Sequence, residues 1–349
     1  MAGGFRAFWR RHRRLRVGAW IVAAVVVVVA AGSVVSSSTP WPSALVIRGV
    51  FGQGADATVT ELNRHVPDTP LRQRLDVQYG DGSAGGDTTL DAFSPRSGSE
   101  PLATVVWIHG GAWISGDKTN VDPYLRILAG HGYTAIGLNY TIAPEAVYPT
   151  AVRQLNDALG YIRDHAAELR VDPDRIVLAG DSAGAQLASQ LDALITNPEY
   201  AHILGIAPAL TKEQLVGTVL QCGVYDLRRM ADLDGIAAWG FKVALWAYTG
   251  TKGWSASYQG ATMSSIDFVT SDFPPTYISG GNGDGLTWIE SIPMSQALER
   301  AGVDTTTRFF AAEHEPALPH EYQFKLDGKD AQVTLQQTLD FLDRVSARS

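Results

Sequence analysis

The sequence predicts an α/β fold in which a mostly parallel central sheet is flanked by helices. An N-terminal transmembrane helix precedes it, and a helical cap-like insertion interrupts it. Three observations carry this reading. Short apolar runs alternate with helical patterns along residues 75–349, the signature of strands joined by crossover helices. A charge-free run follows an arginine cluster at the N-terminus. One long aromatic stretch between two strand runs breaks the rhythm.

The N-terminal element comes first. Arg6, Arg10, Arg11, Arg13, Arg14 and Arg16 precede residues 17–35, nineteen residues without a charge. As a helix that run spans about 28 Å, close to the hydrocarbon thickness of a bilayer. Residues 1–16 are then a basic cytoplasmic tail, and the rest of the chain lies on the extracytoplasmic side. A cleaved signal peptide is the alternative, with 31–33 as its cleavage region and a secreted product. Residues 36–74 read as a linker, proline-broken at SSSTPWP, and a poorly patterned lead-in that packs over the body.

The body spans 75–349. Residues 75–79 and 88–93 alternate in polarity on either side of GDGSAGGD, which predicts an antiparallel hairpin. Buried strands are expected at 104–108, 134–138, 175–179, 216–220, 275–279 and 306–311, and helices at 151–165, 183–195, 288–301 and 331–345. Residues 227–274 are too long for an ordinary connection. They carry Trp239, Phe241, Trp246, Tyr248, Trp254, Tyr258 and Phe268. Such a stretch forms a small helical cluster of its own, a cap lining an apolar pocket, or both.

Charge and cysteine content exclude several function classes. Without the six N-terminal arginines the formal net charge of −8 becomes −14, so the body repels phosphate backbones and nucleic acid is not an expected partner. Cys222 is the single cysteine. It permits no internal disulfide and no zinc site built on CxxC pairs.

Two segments carry chemistry. Gly180-Asp181-Ser182-Ala183-Gly184 follows the apolar run RIVLA and opens the helical run AQLASQLDALI. The GxSxG pattern alone is weak, but a sharp strand-to-helix turn needs small residues on both sides of the serine, and it thrusts the hydroxyl to the sheet edge. The bland alternative is a helix N-cap serine. His109-Gly110-Gly111-Ala112-Trp113 directly follows ATVVWI, and a glycine-rich turn can aim backbone N–H groups at one oxyanion. His109 sits too early to be the base and is better suited to bracing this loop.

With HGGAW followed by GDSAG, the chain resembles the hormone-sensitive-lipase-type carboxylesterases and related bacterial esterases of the α/β-hydrolase fold. Ser115-Gly116-Asp117-Lys118 and NYTIAPEAVYPTAVRQLNDAL at 139–159 add to the likeness, which covers about residues 75–345. Many members have a third glycine where this chain has Ala112, which keeps the N–H donor but narrows the adjoining pocket.

The resemblance implies a nucleophile, an acid and a base in that chain order. The acid falls on Asp284 in GNGDGL. For the base His314 and His320 compete, and the likeness favours His320. It further implies an oxyanion hole from Gly110, Gly111, Ala112 and Ala183, no metal or organic cofactor, and a small-molecule or lipid ester substrate hydrolysed through an acyl-enzyme. Amidase or formamidase action, acyl transfer to an alcohol, and a non-catalytic binding module are the alternatives.

Overall fold

The computed structural model describes residues 35–80, 87–233 and 235–347. The basic tail and all but the last residue of the apolar run 17–35 lie outside them, as do 81–86 of the expected hairpin turn. Among the described residues no helix is long and apolar enough to cross a membrane.

Among the described residues eight strands form one sheet: β1 Leu71–Gln78, β2 Thr89–Pro95, β3 Leu102–Ile108, β4 Thr134–Leu138, β5 Val171–Asp181, β6 Leu215–Gln221, β7 Thr276–Ser279 and β8 Thr305–Arg308. Their spatial order is β1-β2-β4-β3-β5-β6-β7-β8. The first two are antiparallel to their neighbours and the remaining pairs are parallel. The chain leaves β3 toward β4 on one side and returns to β5 on the other. At such a switch point the loops beyond the two strands part and leave a crevice.

Numbering helices of six residues or more, α1 is Trp41–Asn63, α2 Asp122–Gly130, α3 Thr150–Asp164, α4 Ala183–Thr196, α5 Pro198–Leu204, α6 Gly235–Thr249, α7 Tyr258–Met263, α8 Ile292–Arg300 and α9 Lys329–Ser346. The period-two alternation of the strands sorts them onto two faces. Val106, Ile108, Ile136 and Leu178 pack with Leu155, Leu187, Leu191 and Leu298 of α3, α4 and α8. Val105, Trp107, Ala135 and Val177 face Leu125 and Leu128 of α2 and Phe341 and Leu342 of α9. A strand buried on both faces has to be apolar throughout, hence the continuous runs in the sequence.

Several expectations need correction. The lead-in is mostly ordered as the 23-residue helix α1. Its outer residues are apolar in the first half and polar in the second, which blurs the helical period, and Gly49, Gly52 and Gly54 weaken its propensity. β1 begins at Leu71, so a boundary at 75 falls inside a strand. The last strand ends at Arg308 instead of reaching 311. The helix expected at 288–301 opens with a π-turn over Thr287–Ser291. α2 had no counterpart among the expected elements. The insertion 227–274 is helical, containing α6, α7 and shorter turns.

Candidate active site

Ser182 stands between β5 and α4 with φ 52° and ψ −119°. A non-glycine residue in that region carries strain of about 1–3 kcal/mol, held here by its surroundings. Its N–H donates to the Gln221 carbonyl at 2.8 Å. A Cβ on Gly184 would run into the Ile108 carbonyl, and one on Gly180 into the Gly184 backbone. The two glycines therefore let strand, turn and helix close up around the serine, as the GxSxG reading requires.

The loops after β7 and β8 bring the other two groups to it. His320 Nε2 lies 3.0 Å from Ser182 Oγ, and its Nδ1 lies 2.7 Å from Asp284 Oδ2. Asp284 is buried, and its Oδ1 accepts from Leu286 N at 3.0 Å. Asn282 joins the two loops: Oδ1 accepts from Leu318 N at 2.9 Å and Nδ2 donates to the His314 carbonyl at 2.8 Å. His314 itself turns away, with Nε2 2.9 Å from Asp330 Oδ2. Of the two histidines, only His320 meets Ser182.

Gly111, Ala112 and Trp113 take positive φ in succession, at 112°, 52° and 59°. Such a run turns successive N–H groups toward one point. The N–H groups of Gly111, Ala112 and Ala183 have no hydrogen-bond acceptor among the described residues. Gly110 departs from expectation: its N–H donates to Asp181 Oδ2 at 2.9 Å, so it is not available to an oxyanion. Its contribution is to the turn.

The remaining motif residues brace that turn. His109 is buried, its Nδ1 lies 2.7 Å from the Gly110 carbonyl, and its ring stacks on Tyr140 at 4.5 Å. Burial holds its pKa below the usual value, so it stays neutral. Asn139 accepts from Lys118 N at 2.6 Å and donates to Asp117 at 2.9 Å, and the buried Lys118 ammonium reaches Asp76 at 2.7 Å. From the N-terminal helix, Arg48 donates to the carbonyls of Ile114 at 2.7 Å and Ala143 at 2.9 Å, and pairs with Glu145 at 2.7 Å. From the insertion, Tyr248 stacks on Trp113 with centroids 5.5 Å apart.

Two carboxyls went unnoticed in the sequence. Asp181 is buried and accepts from Trp107 Nε1 at 2.7 Å as well as from Gly110. Burial first, then the adjoining Glu321 carboxyl that hydrogen-bonds to it, push its pKa well above the carboxylate range. Glu321 has φ 58°, and its Oε1 lies 3.8 Å from His320 Nε2. For His320, burial pulls the pKa down, but the hydrogen bond and charge of Asp284, then Glu321 and Asp181, outweigh it and raise the pKa to about 9. Only the second residue of GxSxG, and the residue after the histidine, could have pointed to this pair.

Cys222, Asp284 and His320 place possible metal-binding atoms within 4.8 Å of one another. Asp284 and His320 are already bonded to each other, and burial raises the Cys222 thiol pKa well above normal. A metal would have to break the first pair and deprotonate the second group.

The model of the BD-FAE family matches residues 90–299. The chain belongs to the BD-FAE family. Acetyl esterases of Salmonella paratyphi B and Salmonella typhi are 39% identical to this BD-FAE chain over 104 residues, 30% of the chain. That match spans about a third (32%) of the length of these relatives. Among solved structures, esterase B from Lactobacillus rhamnosis superposes with a TM-score of 0.73 at 21% identity, covering 87% of this chain and 96% of that one. The esterase of the archaeon Pyrobaculum calidifontis gives 0.67 at 21% identity, covering 87% and 94%. The fold of this BD-FAE protein is accordingly that of the α/β-hydrolases.

Proposed function

We propose that this chain is a serine-dependent carboxylic ester hydrolase acting through an acyl-enzyme. The observation that carries the reading is the hydrogen-bonded line from Ser182 Oγ through His320 to the buried Asp284 carboxylate. As the hydroxyl attacks the ester carbonyl, His320 Nε2 takes its proton, while Asp284 holds the ring tautomer through Nδ1 and stabilises the imidazolium. The carbonyl oxygen becomes an oxyanion facing the N–H groups of Gly111, Ala112 and Ala183. Each such donor is worth about 3–4 kcal/mol in the transition state. Collapse expels the alcohol, which takes its proton from His320. Water, activated by the same imidazole, then attacks the acyl-enzyme and releases the acid.

Short acyl esters are the proposed substrates, since the Salmonella relatives are named acetyl esterases. The insertion would roof the acyl pocket, and its Tyr248 already stacks on Trp113 beside the oxyanion turn. The arginine-flanked run 17–35 supports a body on the extracytoplasmic side, anchored by that run. Shaving intact cells with protease tests this, and a protected body would count against it.

A panel of nitrophenyl esters of increasing chain length tests the activity. Ser182→Ala should lose at least about a thousandfold in kcat/KM, and a fluorophosphonate probe should modify Ser182. An intact Ser182→Ala protein with undiminished turnover would defeat the proposal.

A further inference from the structure

Helix α1 has two different outer halves. Its inner face is conventional: Ala44, Ile47 and Leu62 are buried, and Arg48 is tied to the body. In the first half, however, the outer face is apolar as well. Val46 is 65% and Val50 63% exposed, with Trp41, Leu45 and Phe51 also open to solvent. Past Phe51 the outward positions turn polar, with Gln53, Asp56 and Thr60. Eleven residues of helix thus present about 16 Å of apolar surface, which a soluble protein does not ordinarily leave bare.

The neighbourhood of this stripe has a consistent chemistry. Ser36, Ser37 and Ser43 line one wall of an open cavity of about 800 Å³, and Trp239, Trp246 and Trp254 of the insertion line the other. Trp239 is exposed, and Lys242 and Lys252 stand at the rim. The Lys252 ammonium lies over the Trp246 ring at 4.5 Å and donates to the Ser37 carbonyl. Residues 35–55 and 235–255 contain no acidic side chain, although residues 17–349 carry a net −14. Tryptophan and lysine around an apolar strip are the side chains that settle at a lipid–water boundary. The apolar sequence run 17–34 joins the chain at Val35, directly before Ser36 and Ser37 of the cavity lining.

We propose that the first half of α1, with the tryptophan- and lysine-rimmed edge of the insertion, is a bilayer-docking face that seats the body on anionic phospholipid. The apolar stripe enters the boundary between headgroups and acyl chains, Lys242 and Lys252 meet lipid phosphates, and the acidic remainder of the body points to water. This proposal rests on surface chemistry and is independent of the esterase reading.

The test uses the full chain reconstituted into phosphatidylcholine vesicles containing phosphatidylglycerol. Cys222 is fully buried, so the unsubstituted chain serves as the unlabelled blank. Val46→Cys, Val50→Cys and, as a control on α9, Gln336→Cys each carry a polarity-sensitive dye. The expected result is loss of fluorescence at 46 and 50 with nitroxide-bearing lipids, and at 336 only with aqueous iodide. Iodide quenching at 46 and 50 equal to that at 336 would overturn the proposal. So would positions shielded from both quenchers, which would mean that protein, either a second copy or the chain's own N-terminal segment, covers the stripe.

Discussion

His320 sits between two carboxylates with different effects. Asp284 orients Nδ1, whereas Glu321 lies beside Nε2, the atom that must be unprotonated to accept the serine proton. With the His320 pKa near 9, kcat/KM should fall as pH drops through that value. Because the Glu321 charge raises that pKa, Glu321→Gln should move the acid limb to lower pH while Ser182 stays reactive to a fluorophosphonate. A pH–rate profile of both proteins checks this, and an unmoved limb would show that Glu321 does not act on the imidazole. Ala112 supplies a second measurement. It holds φ 52° where glycine is at ease, so Ala112→Gly should raise stability by about 1 kcal/mol in urea unfolding.

At the scale of elements, the first half of α1 is tied to the body by Arg48, whose guanidinium serves two backbone carbonyls and Glu145. The second half is tied by Thr58 and Glu61, which accept from Lys325 Nζ and Asp327 N. Arg48→Ala strands the two carbonyls and should cost about 2 kcal/mol. It should also raise protease sensitivity near residue 55. The strands were readable because burial on both faces demands unbroken apolar runs. Ser182 and the HGGAW turn were readable because each follows such a run directly. Asp284 and His320 were readable only through chain order and family likeness, since their placement depends on Asn282 stitching two loops across 36 positions. Asp181 and Glu321 escaped notice because a carboxyl acquires its role from a partner far along the chain. α1 escaped because its polarity follows two surroundings, the body inside and an apolar outer stripe over its first half.

For the molecule as a whole, two groups bias stability in the same direction with pH. His320 is raised from 6.5 to about 9, so the stability it contributes is complete below pH 6.5 and is lost as pH rises through 9. Glu290 is buried, and desolvation raises its pKa from 4.5 to about 8 despite two backbone N–H donors from Tyr225 and Asp226. A carboxyl favoured in its neutral form stabilises the fold below pH 4.5 and loses that effect as pH climbs through 8. Melting temperature should therefore decline between pH 6.5 and 9 while turnover increases. Glu290→Gln should flatten the decline, which scanning calorimetry across that interval will register.

Ser182, His320 and Asp284 all lie outside 227–274, which leaves the sheet at β6 and rejoins it at the adjacent β7. The parallel ladder holds the two strands side by side, about 5 Å apart, with the exit from β6 and the entry to β7 at opposite ends of the pair whatever lies between them. The stretch can therefore lengthen, shorten or change its side chains without moving the reacting atoms, like a fitting exchanged on a fixed mount. Grafting the corresponding stretch from another α/β-hydrolase should transfer taste for acyl length and leave the rate-giving groups in register. Such a graft has to reproduce a flat ring on Trp113 and acceptors for the buried Gln186 and Gln190 amides, which donate to the Met263 and Thr262 carbonyls.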